Sequence, residues 1–169
     1  MQWGHLRQKT IKNGKQKDML SNGLKKQGKK RIEHYKSYMY LIDTDIIIWV
    51  LRGNRIYGEI LQKLKDKASL SLSSITIAEI YKNVFPSEMV KTEEILQEFL
   101  VWQLSASIAK QGGLYWQQFS PKYKKLHLLD CLIAATAREH HLTLLTLNTR
   151  HFPMKDIYAA DPLGKRFIL

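Results

Sequence analysis

From residue 38 onward, hydrophobic and polar positions fall into blocks whose period changes, and each change marks the edge of an element. Tyr38 to Ile42 is a short apolar run ending on the acids Asp43 and Asp45, and the strongly apolar Ile46 to Leu51 follows before the breaker pair Gly53-Asn54. This reads as a buried strand feeding a helix, with Thr44 or Asp45 as the cap. Within Ile56 to Leu64 the residues Ile60, Leu61 and Leu64 recur at helical spacing, and Ala68 to Leu72 is a short strand. Ser73-Ser74 then opens a helix whose Ile77, Ile80, Tyr81 and Val84 share a face until Pro86 bends or breaks it.

The second half continues the alternation. Glu93 to Leu100 suits a helix, Val101 to Leu104 a third strand, and Ser105 caps a helix running through Ile108 and Ala109 toward Trp116 and Phe119. The Gly112-Gly113 pair weakens that helix, because glycine is a poor helix former. Beyond Pro121 and a basic loop, Leu132, Ile133, Ala135, Thr136 and Ala137 make Asp130 to His140 a well-buried helix. His141 to Leu147 is the next strand, and a weak terminal strand lies near Ile157 to Ala159. Strands alternating with helices predict an α/β fold, a three-layer α/β/α domain around a mainly parallel central sheet. Ligand sites in such sheets lie beyond the carboxyl ends of the strands, which is where Asp43 and Asn148 fall.

Composition narrows the class. A chain of 169 residues suits one domain, and 44% hydrophobic with 25% charged residues excludes general disorder or a fibrous repeat. No stretch approaches the roughly 18 apolar residues of a membrane helix, and no secretory leader is visible, so a soluble cytoplasmic protein is expected. Cys131 stands alone and reads as a small buried apolar side chain.

The net charge of +12 suggests a polyanionic partner, but its distribution weakens the inference. Residues 1–36 carry 11 Lys or Arg against two acids, while the rest carries 16 against 13. Residues 1–37 therefore read as a basic flexible extension and 38–169 as the domain. An RNA-binding tail is one account of the extension. The favoured account is a solvated arm or a stretch translated from an early start codon, because Met39 stands just before the first convincing strand.

Four segments place polar groups beside apolar elements: Leu41-Ile42-Asp43-Thr44-Asp45, Ser74-Ile75-Thr76-Ile77-Ala78-Glu79, Asp130-Cys131-Leu132-Ile133-Ala134-Ala135, and Thr146-Leu147-Asn148-Thr149-Arg150-His151-Phe152. Carboxylates converging in apolar surroundings without basic partners need a cation. An all-oxygen donor set without clustered Cys or His favours Mg²⁺ or Mn²⁺ over Zn²⁺.

In type, order and spacing these segments resemble the PIN domain, most closely its VapC-type toxin branch, over Met39 to about Pro162. Asp43 and Glu79 are 36 residues apart, and Asp130 follows 51 residues later. The resemblance implies a compact PIN-like α/β/α nuclease that hydrolyses RNA with Mg²⁺ or Mn²⁺, with tRNA as the expected target. It implies Asp43, Glu79 and Asp130 as metal ligands and, with Asn148, as the catalytic set. Asn148 stands where members of the family often carry a fourth acid, and Asp45 stands where Asn or Ser is more usual. Thr44, Asp45 and Thr146 are expected to orient the carboxylates. The resemblance also implies a small cognate antitoxin and a homodimer, with comparable helices forming the dimer contact and the antitoxin groove; Trp102, Trp116 and Phe119 read as core or interface residues.

Further candidates for RNA contact are Lys122, Tyr123, Lys124 and Lys125, able to receive phosphate and stack a base, together with Arg150 and His151. Two rival readings stand beside the nuclease. One is a non-cleaving RNA- or protein-binding module on the same fold, suggested by Asn148 and the basic arm. The other is a haloacid-dehalogenase-type phosphatase, suggested by Asp43-Thr44-Asp45 but lacking the Gly and Thr or Val that usually follow and the later Lys and paired Asp.

Overall fold

The structure, a computed structural model, describes residues 39–164. The basic extension expected at 1–37 and the first residue of the expected opening strand, Tyr38, lie outside the described residues. Strand β1 (Met39–Ile42) leads into α1 (Thr44–Leu51) and α2 (Arg55–Lys65), followed by β2 (Ser69–Ser73), α3 (Ser74–Tyr81), α4 (Met89–Leu96) and β3 (Leu100–Trp102). Two long helices, α5 (Ala106–Phe119) and α6 (Leu128–Glu139), precede β4 (Thr143–Leu145) and β5 (Tyr158–Ala160). Short 3₁₀ turns cover Pro86–Glu88 and Thr149–His151.

The five strands lie in the order β3-β2-β1-β4-β5, and all four pairings are parallel. Alternation along the central strands sorts the core into two layers. Leu41 and Leu144 face a cluster with Ile108 and Tyr115 of α5 and Ile133 and Ala134 of α6. Their neighbours Ile42 and Leu145 face the opposite cluster, with Ile46 and Ile47 of α1, Leu61 and Leu64 of α2, and Ile80 of α3. The expected three-layer α/β architecture is thus present. Among the described residues no helix is long and apolar enough to cross a membrane.

Several boundaries differ from the sequence expectation. The cap of α1 is Asp43, whose carboxylate accepts the Thr44 N–H at 2.8 Å, and neither Thr44 nor Asp45 takes that role. Asp43 keeps the extended backbone of β1 and donates its own N–H to the Leu145 carbonyl at 2.9 Å, so the helix begins at the very next residue. Likewise α6 starts at Leu128, which makes Asp130 its third residue; the Asp130 carboxylate reaches back to the His127 N–H at 3.0 Å.

Helix α4 ends at Leu96, so the helix expected over Glu93 to Leu100 stops early, in turn bonds from Gln97, Glu98 and Phe99. Strand β3 is an edge strand limited to the three residues facing Ser71–Ser73, and Leu104 instead donates its N–H to Ser74 Oγ at 3.1 Å. His141 adopts φ 54°, a left-handed turn that reverses the chain after α6, so β4 starts at Thr143.

Candidate functional site

The parallel sheet brings the ends of β1, β2 and β4 to one edge, and Asp43 stands there with its neighbours. It is 7% exposed, and its carboxylate caps α1 while the Thr146 hydroxyl lies beside it. Burial, and then the nearby Asp45, push its pKa from 3.8 up to about 7; the bonds from Thr146 and the Thr44 N–H oppose that rise, and Asp130 adds to it. Asp45 is also raised, chiefly by burial, against the pull of the nearby Leu147 and Ile46 N–H groups, Asn148 and Thr146.

Thr44, the first residue of α1, donates its hydroxyl to Glu79 Oε2 of α3 at 2.5 Å, which joins the second acidic segment to the first. Asp130 keeps 17% of its side chain exposed and has His151 Nδ1 at 3.9 Å. Asn148 is exposed; its amide donates to Asp45 Oδ2 at 2.9 Å. Among the described residues no three Asp, Glu, His or Cys side chains are gathered closely enough to hold one ion as they stand. The donor chemistry nonetheless fits a hard divalent cation: the Asp43 carboxylate resists ionisation because it is buried and, next, because Asp45 lies beside it, and Asp45 Oδ1 is buried without a hydrogen-bond partner in the described residues.

Next to this edge lies a cleft of about 810 Å³ lined by Lys122, Tyr123, Lys124, Lys125, Leu126 and the run Leu147 to His151. It brings together all six residues named from the sequence as RNA contacts. Asn148, expected in the catalytic set, also lines it, and Leu126, Leu147 and Thr149 complete the lining without any chemical signal of their own; only their sequence neighbours marked the place.

A second cleft, of about 570 Å³, runs between α1, α3 and α4, where Ile48, Leu51, Ile80, Val84 and Phe85 supply an apolar lining. Sequence reasoning missed it; α3 ends at Tyr81, and Phe85, before the 3₁₀ turn that Pro86 opens, is 68% exposed at its rim. Of the aromatic residues read as core or interface, Trp102 and Phe119 pack against the core, Trp102 with its ring stacked on His140 at 3.9 Å, while Trp116 stays 46% exposed.

The family model described as the PIN domain matches residues 40–157. The chain belongs to the PIN domain family. Curated relatives include Ribonuclease VapC10 of Mycobacterium tuberculosis, 32% identical over 116 residues, covering 69% of this chain and 87% of the relative. Ribonuclease VapC19 of the same organism is 34% identical over 118 residues, covering 69% of this chain and 94% of the relative. Among solved structures, a toxin-antitoxin complex from Klebsiella pneumoniae aligns with a TM-score of 0.58 at 29% identity, covering 73% of this chain and 97% of that one. This PIN domain therefore has its acidic edge at the ends of β1 and β4, and the haloacid-dehalogenase reading is set aside with the family assignment.

Proposed function

We propose that this PIN domain is an endoribonuclease of the VapC type, the toxin of a toxin-antitoxin pair, which hydrolyses RNA with Mg²⁺ or Mn²⁺ held by Asp43, Glu79 and Asp130. The observation that carries the reading is the buried Asp43, with its pKa lifted to about 7 among acidic neighbours, beside a cleft edged by Lys122, Lys124, Lys125 and Arg150. Bound at those carboxylates, the divalent ion supplies Lewis-acid activation of the phosphate and of a water molecule.

The chain's own residues do the rest. Thr44 fixes the rotamer of Glu79, and Thr146, beside Asp43, donates its hydroxyl to Asp45. The Lys122–Lys125 loop and Arg150 neutralise phosphates of the strand, while Tyr123, 44% exposed, offers a ring on which a base stacks. His151 stands between the cleft and Asp130, where it can hydrogen-bond a phosphate oxygen. tRNA is the proposed substrate. The relatives named as ribonucleases and the toxin-antitoxin complex among similar structures support this reading and its antitoxin partner. We assign the antitoxin to the apolar groove under Phe85, and a homodimer contact to the exposed Leu114 and Trp116 of α5.

Asp43→Asn and Asp130→Asn are each expected to cut metal-dependent cleavage of a tRNA pool at least about 100-fold, with an unchanged circular dichroism spectrum. Near-normal activity in both variants would sink the assignment. One observation favours the non-cleaving alternative: the acids are not gathered around a common point. Tight RNA binding without cleavage at any Mg²⁺ or Mn²⁺ concentration would decide for it.

A further inference from the structure

The acid in the first turn of α1 and the loop after β4 form one unit, although Asp45 and Asn148 are 103 residues apart. A single oxygen, Asp45 Oδ2, accepts from the Leu147 N–H at 3.0 Å, from Asn148 Nδ2 at 2.9 Å and from the Thr146 hydroxyl at 3.4 Å. Thr146 Oγ1 accepts in turn from the Asn148 N–H at 3.0 Å, which ties the loop to itself. Asn148 then opens the turn Thr149–His151 that carries Arg150 and His151 into the basic cleft.

We propose that Asp45 is a positioning residue whose carboxylate latches the Thr146–Asn148 loop to the start of α1, and so sets where Arg150 and His151 stand for the RNA strand. The consequence for RNA rests on the ribonuclease reading; the latch itself rests only on the hydrogen bonds. A carboxylate is the right group for the place. It is acceptor-only, so it satisfies several converging donors, and its charge strengthens each bond. Its position in the first turn of α1 also sets it against the positive end of the helix dipole.

Asparagine fits the same volume and still fails. If its carbonyl takes the Oδ2 place, its amide occupies the buried Oδ1 place, which has no hydrogen-bond partner among the described residues. If it is turned round, its amide faces the Leu147 N–H and the Asn148 amide. Either orientation leaves donors unpaired, which is costly in a buried setting.

The test is a set of double-mutant cycles on the full chain, with cleavage of a tRNA pool in Mg²⁺ and amide hydrogen exchange as separate readouts. Asp45→Asn is expected to raise KM for RNA about tenfold or more while kcat falls less, and to speed exchange of the Leu147 amide by a similar factor. Arg150→Ala is expected to raise KM clearly in the wild-type background and little in Asp45→Asn, because the arginine is already displaced there. Asn148→Ala, at an exposed position that does not threaten folding, should raise KM alone and add little to Asp45→Asn. Losses that simply multiply, or an unchanged Leu147 exchange rate in Asp45→Asn, would overturn the latch. If the wild-type protein cleaves no RNA the ribonuclease reading fails, while Leu147 exchange still decides the latch.

Discussion

Asp43 both caps a helix and resists its own ionisation. Burial and the charges of Asp45 and Asp130 keep its proton on up to about pH 7, against an ordinary 3.8. The unfolded chain gives up that proton near pH 4. Between the two values the native state holds a proton that the unfolded state has lost, so Asp43 makes stability fall as pH rises through that window. Asp43→Asn removes the penalty and keeps an equally good cap. In urea unfolding with chelator at pH 8 it is expected to exceed the wild type by roughly 1–3 kcal/mol, a gain that disappears near pH 4. Mn²⁺ should raise the melting temperature of the wild type at pH 8 and leave that of Asp43→Asn nearly unmoved. A wild type that is the more stable of the two at pH 8 without metal would show that Asp43 is not under this strain.

At the scale of elements, the tightest joint is between α5 and α6. A Cβ on Gly112 would stand 2.5 Å from Leu132 Cδ2 and 3.2 Å from Leu132 Cα, and the backbone atom cannot swing aside. Next door, a Cβ on Gly113 meets nothing within 4 Å. Opposite effects are therefore expected from one substitution at adjacent positions. Gly112→Ala should destabilise by about 1–3 kcal/mol through overpacking. Gly113→Ala should stabilise by about 0.5–1 kcal/mol through helix propensity alone. Thermal or urea unfolding of the two variants checks both signs. The sequence showed the glycine pair only as a weakness in a helix, since the reason for Gly112 lies on α6, twenty residues away. The groove between α1, α3 and α4 calls for a different measurement: Phe85→Glu is expected to weaken antitoxin binding at least about tenfold while leaving RNA cleavage by the free protein intact.

For the whole molecule, charge placement matters more than total charge. The +12 of the full sequence is concentrated in residues 1–36, yet the cleft beside the acids gathers Lys122, Lys124, Lys125 and Arg150 from two segments. Replacing Lys124 and Lys125 with Glu is expected to weaken single-stranded RNA binding. It should also flatten the dependence of log affinity on log salt by about 0.7 for each phosphate that the variant no longer neutralises. Because the family match begins at residue 40, a chain started at Met39 is expected to retain the melting temperature and the RNA cleavage of the full chain. Weaker RNA affinity in that shortened chain would instead give residues 1–38 a part in binding.

The sequence alone determined the architecture and the acidic candidates. Short apolar runs and helical apolar stripes set which side chains must leave water, and Asp43, Glu79 and Asp130 stood out as carboxylates beside apolar elements. Where strands end was less legible: β3 stops at Trp102 because the residue it pairs with, Ser73, is the last of β2 before α3 begins, a constraint invisible within Val101 to Leu104. Tertiary structure alone decided the relations. It joined Thr44 to Glu79 and Asp45 to the Leu147–Asn148 loop, and it raised the pKa of Asp43. Those properties depend on distance and burial between residues 35 to 103 positions apart, and no local pattern encodes a distance of that kind.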